Sequence, residues 1–408
     1  MKVLIYEPSH TGHHLAYVRL LVQGFSDLGV ELRVVLDAEA PASREYQVQL
    51  ADLGVDYLVD PSVPVPQGSS LRRVWGYVDS LRTTILRHKP DHLLIPYADG
   101  ISQVIGLHPF PQSVIGGVET EALMMRGSFA YESRTGAERA KSRVTLWALK
   151  RTPWRKMYWI DPVPFHLLKE IAPALSRRIQ LMPDPVDAPP AISQTDARRR
   201  LSLPLDGRFI MATGRLDERK GTDLLIRAFA QATLAKTDRL LLVGELSTGV
   251  RKVVAELEAT AHLRAKERLI IWDRYVERDE MLLAFNASDL VCAPYPRHIG
   301  SASIVIRAAA AHRPVLGSQF GWMAEMIPRF GLGWICDPTN VGQLAKAISR
   351  TMELLPSFSV TESLRRFVEF HSVANFQATW TERIRERLGL QPSPRQRSWQ
   401  WVNSSAED

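Results

Sequence analysis

The sequence predicts an α/β protein of two domains, each built on a parallel sheet covered by helices. Three observations predict it. The chain has 408 residues, more than a single hydrophobic core usually organises. Apolar strand-like runs alternate with amphipathic helical patterns from the start, and the alternation begins afresh at Phe209. Between the two series lies LMPDPVDAPPAISQTDARRRLSLP, in which proline limits both helix and strand, the composition of an interdomain link.

In the first series, strands are expected over 3–6, 32–36, 93–95 and 114–116, with helices over 15–28 and 74–86. In the second, strands are expected over 209–212, 240–243, 269–271, 290–293 and 315–317. Its helices fall near 222–235, 249–264, 279–287, 302–312 and 341–354. Residues 373–388 form a further amphipathic helix free to pack on any open surface, expected to return to the N-terminal domain. The tail 389–408, rich in Gln, Pro and Ser, reads as disordered. The expected domains are therefore 1–180 and 181–372.

Composition narrows the function classes. Hydrophobic residues make up 45% of the chain and charged residues 23%, as in a soluble globular protein. No apolar run approaches a membrane span, and MKVLIYEPSH turns polar too soon for a signal peptide. Cys292 and Cys336 stand in apolar surroundings, which fits small buried residues in a reducing, cytoplasmic compartment. No Cys/His spacing resembles a metal site. The net charge is +7, with 30 Lys/Arg against 24 Asp/Glu in residues 188–408. That excess suits an anionic ligand or membrane surface. It is too dilute for nucleic acid, and no nucleic-acid module is visible.

The stretch RFIMATGRLDERKGTDLLIRAF (208–229) carries the clearest chemistry. A buried strand stops at Thr213-Gly214, a charged turn follows, and Gly221 opens a helix with Leu224, Leu225, Ala228 and Phe229 on one face. Arg215 and Lys220 thus stand at the carboxyl end of a strand, beside free backbone N–H groups, a favourable place for phosphates. The alternative is a solvated turn with helix-flanking charges.

Six segments in order resemble the C-terminal domain of GT-B glycosyltransferases, specifically the retaining family four group. They are MPDPVD (182–187), TGRLDERKGTDLLIRAFAQA (213–232), LLLVGE (240–245), DEMLLAFNASDLVCAPY (279–295), AAAAHRPVLGSQFGWMAEMI (308–327) and GLGWICDPTNVGQLAKAI (331–348). The resemblance implies a GT-B fold, two Rossmann-like domains facing each other across a cleft. The first domain would bind the acceptor and the second the donor.

The resemblance further implies transfer of a sugar from a nucleoside diphosphate sugar to a glycan, lipid-linked or small acceptor, with retention and without a metal or other cofactor. Arg215 and Lys220 would hold the diphosphate, next to Gly214 and Gly244. Tyr275 and Val276 would meet the base, although Tyr275 as plain packing and Glu245 as a surface charge fit equally.

The chain departs from the family at the glutamate pair that precedes "A.G.PV": Ile299 and Arg307 stand there. Arg307 cannot accept a hydrogen bond from ribose and would instead add positive charge for the donor phosphates. Instead Gly300, Ser301 and Ser303 gather small residues at a helix N-terminus, where N–H groups and hydroxyls cradle phosphate oxygens; an N-cap serine is the plainer reading. Asp273 or Glu325 is a candidate for the missing acceptor.

In the first domain, Ser9-His10-Thr11-Gly12-His13-His14 follows strand one. Gly12 would let the backbone approach the donor, and His13 would serve as acid, base or phosphate donor. Glu7 and Glu119 are further candidates in the cleft. Finally, residues 139–156 hold seven cations and no acid, interleaved with Trp147, Trp154, Tyr158 and Trp159 across 139–159. This pattern fits an anionic membrane surface, at the inner face of the membrane, or a solvated helix with its tryptophans in the core. Two other functions remain open: a non-catalytic homologue acting as a binding subunit, favoured by the missing glutamates, and a sugar-nucleotide epimerase of the same architecture.

Overall fold

A computed structural model describes residues 1–10, 14–53, 70–133, 135–256, 263 and 267–404, with the side chains of 70–74 excepted. The chain forms two compact units, Met1–Pro183 with Val373–Gln396, and Asp184–Ser372 with Arg397–Asp408. Each holds one six-stranded sheet, parallel throughout.

In the first unit the strands are β1 (Lys2–Tyr6), β2 (Glu31–Val35), β3 (His92–Ile95), β4 (Glu119–Met124), β5 (Lys156–Trp159) and β6 (Ile179–Leu181), in the order β2-β1-β3-β4-β5-β6. In the second they are β7 (Phe209–Thr213), β8 (Arg239–Val243), β9 (Leu269–Trp272), β10 (Leu290–Ala293), β11 (Val315–Ser318) and β12 (Gly333–Cys336), in the order β12-β11-β10-β7-β8-β9. In both sheets the order reverses beside the first strand, between β1 and β3 and between β7 and β10. In open α/β sheets ligands bind outside the carboxyl ends of the strands at such a reversal.

The central strands are apolar on both faces, because helices cover both. All five residues of β7 and of β8 are buried. The helix Thr222–Gln231 buries Leu225, Ile226, Ala228 and Phe229 against them, with Leu224 only half-buried. Each such fully buried side chain contributes about 1.5–3 kcal/mol.

Several elements differ from expectation. Residues 114–116 are not a strand. Pro111 starts a short helix, Pro111–Ile115, and Gly116 ends it in the left-handed conformation; the strand forms at β4 instead. The proline-rich link contains the helix Gln194–Arg200, capped by Ser193 and anchored by buried Arg198 on Asp289 at 2.7 Å. The tail is not disordered over its described part. Ser398 caps the helix Trp399–Asn403, whose Val402 is buried, and the Trp399 ring meets Phe330 and Phe370 edge-on. Arg366 donates to the Ser404 carbonyl at 2.9 Å. Composition alone misread this segment because Trp399 finds aromatic partners, and Trp401 the Arg366 guanidinium, distant in sequence.

The helix Val373–Arg387 belongs to the first unit, where Phe376, Trp380 and Ile384 join the core around β1 and the helix His14–Phe25. Arg383 and Arg387 pair with Glu119 at 2.8 and 3.5 Å. Glu119 is therefore at the amino end of β4, held by this helix. It is not at the carboxyl ends of the strands, where the sequence reading put it.

Candidate functional site

The loop after β7 is organised by its own residues. Gly214 turns the chain at φ +92° and its N–H donates to the Val243 carbonyl at 2.9 Å. The side chain of Asp217 caps the turn Glu218–Lys220, accepting from the Lys220 N–H at 3.0 Å. That turn directs Lys220 back toward the sheet. Its Nζ donates to the Thr213 carbonyl at 3.1 Å and stands 5.7 Å from the centre of the Tyr295 ring.

The ammonium lines a small recess with Thr213, Cys292, Pro294, Tyr295 and Ile304. These residues come from the ends of β7 and β10 and from the first turn of the helix Ser303–Ala310. The recess thus lies at the strand-order reversal. Burial, with Arg219 nearby, lowers the Lys220 pKa to about 8.

Two glycines let the strand ends close up. A Cβ on Gly214 would stand 2.6 Å from the Lys220 Nζ, and one on Gly244 only 2.2 Å from the Gly214 carbonyl oxygen. Gly244 admits a close backbone approach, but the partner is the chain's own Gly214. Arg215 is exposed and has no hydrogen bond or ion pair with any described residue.

The other predicted residues of the second unit fall in two groups. Gly300, Ser301 and Ser303 stand next to the recess. Ser303 opens its helix and is exposed; the N-cap is Ala302, and no side chain caps the first turn. Ser301 is not a cap either. Its hydroxyl donates to Asp184 at 2.6 Å, and its carbonyl accepts from His298 at 2.8 Å. Arg307 lies one turn into the helix and pairs with Asp187 at 3.8 Å; Arg278 donates to the same carboxylate at 2.8 Å.

Tyr275 is exposed and Val276 buried beyond β9. Glu245 is exposed. The proposed substitutes for the missing glutamate are each held by an arginine: Asp273 by Arg251 at 2.7 Å, Glu325 by Arg329 at 3.3 Å. Asp184 and Tyr295 escaped notice as site residues. Both lie within the matched segments, but neither type nor spacing marks them; only the fold brings Tyr295 to the recess and Asp184 to Ser301.

In the first unit Gly12 and His13 lie outside the described residues. The histidines on either side each meet a buried carboxylate: His10 reaches Asp37 at 2.7 Å, and His14 reaches Glu7 at 2.9 Å. The Ser9 N–H also donates to Glu7 at 3.1 Å. Burial raises the Glu7 pKa, against the opposing pull of His14. Glu7 and Asp37 follow β1 and β2 directly, so both dyads occupy the carboxyl edge of that sheet.

The segment 139–159 divides sharply. Trp154, Tyr158 and Trp159 are wholly buried, so these three rings form core and not a membrane face. Trp154 donates to Ser102 at 2.9 Å and Tyr158 to Glu121 at 2.8 Å. Only Trp147 of the four is exposed.

A desolvated lysine, an uncapped helix start and a reversal in strand order thus stand in one place, and comparison with known proteins shows what this region is similar to. The family model described as glycosyl transferases group 1 matches residues 207–353. The D-inositol 3-phosphate glycosyltransferase of Xylanimonas cellulosilytica is 32% identical over 159 residues, 37% of this chain and 37% of that protein. The lipopolysaccharide 1,2-N-acetylglucosaminetransferase of Salmonella typhimurium is 25% identical over 179 residues, 43% of this chain and 47% of that one. The chain spans less than half the length of the curated relatives it matches.

Solved structures extend the likeness to the fold of nearly the whole chain. Anabaena HepE, solved in complex with UDP, matches with a TM-score of 0.70 at 15% identity, covering 95% of this chain and 100% of that one. Sucrose-phosphate synthase from Thermosynechococcus elongatus matches with a TM-score of 0.68 at 16% identity, covering 95% and 99%. The fold of the chain is GT-B.

Proposed function

We propose that the protein is a glycosyltransferase that takes a sugar from a nucleoside diphosphate sugar, with retention, and gives it to a hydroxyl of a glycan, a lipid-linked or a small acceptor. The observation that carries this reading is the Lys220 ammonium, desolvated at the strand-order reversal beside an uncapped helix N-terminus. A half-buried cation with no ion pair among the described residues is costly, and a diphosphate relieves that cost.

In this scheme the bond between the anomeric carbon and the diphosphate breaks while the acceptor oxygen bonds to that carbon. The departing phosphate oxygen takes the acceptor proton. Lys220 and Arg215 meet the negative charge that grows on the leaving group, with Ser303 and the N–H groups of its helix adding dipoles. These groups perform that work without a metal. Gly214 and Gly244 keep the backbone clear of the lysine, Gly300 shapes the turn into the helix, and Tyr275 with Val276 flanks the base. Ser301 is committed to Asp184 and Arg307 to Asp187, so both position the loop. Unit one is the acceptor side; in sequence Gly12 and His13 fall between His10 and His14, the histidines of its two carboxylate–histidine dyads. The working location is the cytoplasm, at the inner face of a membrane.

Because HepE was solved with UDP, a UDP-sugar panel is the first donor set to test. Release of nucleoside diphosphate should depend on donor and fall at least about 100-fold in Arg215→Ala and Lys220→Ala, as for loss of a preorganised charge contact. Release that survives both changes would refute the site. A second reading, a non-catalytic binding subunit, draws on Arg307 standing paired where the family pattern has a glutamate; tight UDP binding with no release from any donor would favour it.

A further inference from the structure

Burial of Trp154, Tyr158 and Trp159 leaves unexplained why the helix Gly136–Arg151 and its neighbours expose other large apolar side chains. On that helix Arg143, Val144, Trp147 and Lys150 recur at helical spacing on the solvent side; Val144 and Trp147 are each 50% exposed. Arg151 closes the stripe, its guanidinium 4.4 Å from the centre of the Trp147 ring.

The same guanidinium donates to the His108 carbonyl at 3.1 Å and to the Pro109 carbonyl at 3.3 Å. It thereby ties the stripe to the turn that carries Leu107 and Phe110, which are 42% and 73% exposed. The His108 ring lies 6.3 Å from that of Trp75, 40% exposed on the helix Ser70–His88. A continuous surface therefore joins exposed rings to cations, and no acidic residue occurs from Arg139 to Lys156.

Lone exposed apolar residues need no explanation, but a contiguous group bordered by cations does. Indole and phenyl rings settle at the level of lipid headgroups, while Lys and Arg meet anionic phosphates. A protein partner would have to supply acids in register with the stripe; an anionic bilayer supplies them everywhere.

We infer that the surface around Phe110, Trp147 and Arg151 of the first unit docks on an anionic lipid bilayer. This deepens the proposed location at a membrane. It is independent of the donor site, because its readout is lipid binding and not transfer.

The test is flotation of the full chain with vesicles of phosphatidylcholine alone and with about one-third phosphatidylglycerol, at low and high salt. Binding to the anionic vesicles alone is expected, weakened by salt. Each cation near the surface is worth about five-fold in partition, the equivalent of about 1 kcal/mol, so the double variant Arg143→Gln, Lys150→Gln should bind about 25-fold more weakly. The double variant Phe110→Ser, Trp147→Ser should also lose binding. All four side chains are exposed, and circular dichroism melting should be unchanged. Equal binding to both vesicle types, or variants that float like the parent, would overturn the inference. So would absence of flotation, with or without a dimer that the Phe110→Ser, Trp147→Ser change dissolves; such a dimer would mark a contact between copies.

Discussion

Raising the pH from 7 to 9 should weaken binding of UDP about tenfold, through one lysine. Lys220 has its pKa lowered to about 8 by burial. Its side chain is then about nine-tenths ammonium at pH 7, half at pH 8 and one-tenth at pH 9. The terminal phosphate, with a second pKa of about 6, is about nine-tenths ionised at pH 7 and almost fully so at pH 8 and 9, so its titration does not oppose the trend.

Of the two forms of Lys220 the ammonium is the one that attracts it, so the Lys220 share of binding makes the apparent dissociation constant scale about as the reciprocal of the ammonium fraction. The sign follows directly: binding holds the proton on Lys220, so affinity is highest below pH 8 and falls as pH rises through it. The loss continues until the pKa of the bound state is reached. Replacing Lys220 with Met keeps an unbranched side chain one atom shorter and removes the charge. A charge-assisted hydrogen bond of about 1.5–3 kcal/mol is lost, about 10- to 150-fold at pH 7, and the slope with it. Isothermal titration with UDP at pH 7, 8 and 9 measures both. A flat wild-type profile, or a Lys220→Met variant that retains the slope, would refute the assignment.

Two further outcomes concern stability. Gly244→Ala should cost about 3 kcal/mol or more, because φ is +127° and the new Cβ would meet the Gly214 carbonyl at 2.2 Å. Gly331→Ala, with φ +63° and its nearest neighbour at 3.7 Å, should cost only about 1–2 kcal/mol; equal urea midpoints for the two would contradict the close-approach reading. His371 is buried, with its pKa lowered to about 4 by desolvation. Its folded form stays neutral while the unfolded form takes up a proton below about pH 6.5, so stability is lost as pH falls from there toward 4. The loss is about 2 kcal/mol by pH 5. In His371→Gln, whose amide oxygen still accepts from the Asp184 N–H, urea unfolding at pH 7 and pH 5 should differ by that much less; parallel profiles would refute it.

The legible parts of the sequence were those whose cause is local. The strand 209–213, its exit at Gly214, the turn capped by Asp217 and the helix after Gly221 each depend on residues within a few positions. Lys220 was correspondingly placed at the end of a strand, now part of the recess. The strand β5 and the edge strands β6 and β12 were missed, since four or fewer apolar residues among charges and glycines give little periodic signal. At 114–116 three residues of apolar and glycine character read as strand, although Pro111 had already begun a helix.

The sequence by itself determined two parallel α/β halves, the site of their joint and the cationic loop at Lys220, because periodicity and turn chemistry act between neighbours in the chain. The tertiary structure decided the fate of the polar and aromatic side chains. Ser301 is spent on Asp184, 117 positions away, Arg307 on Asp187, and Glu119 on Arg383, 264 positions away. Trp154, Tyr158 and Trp159 went inward while Trp147 stayed out. A charge or a ring carries no mark of its partner until the order of the strands brings the two together, and that order lies in the topology rather than in any one segment.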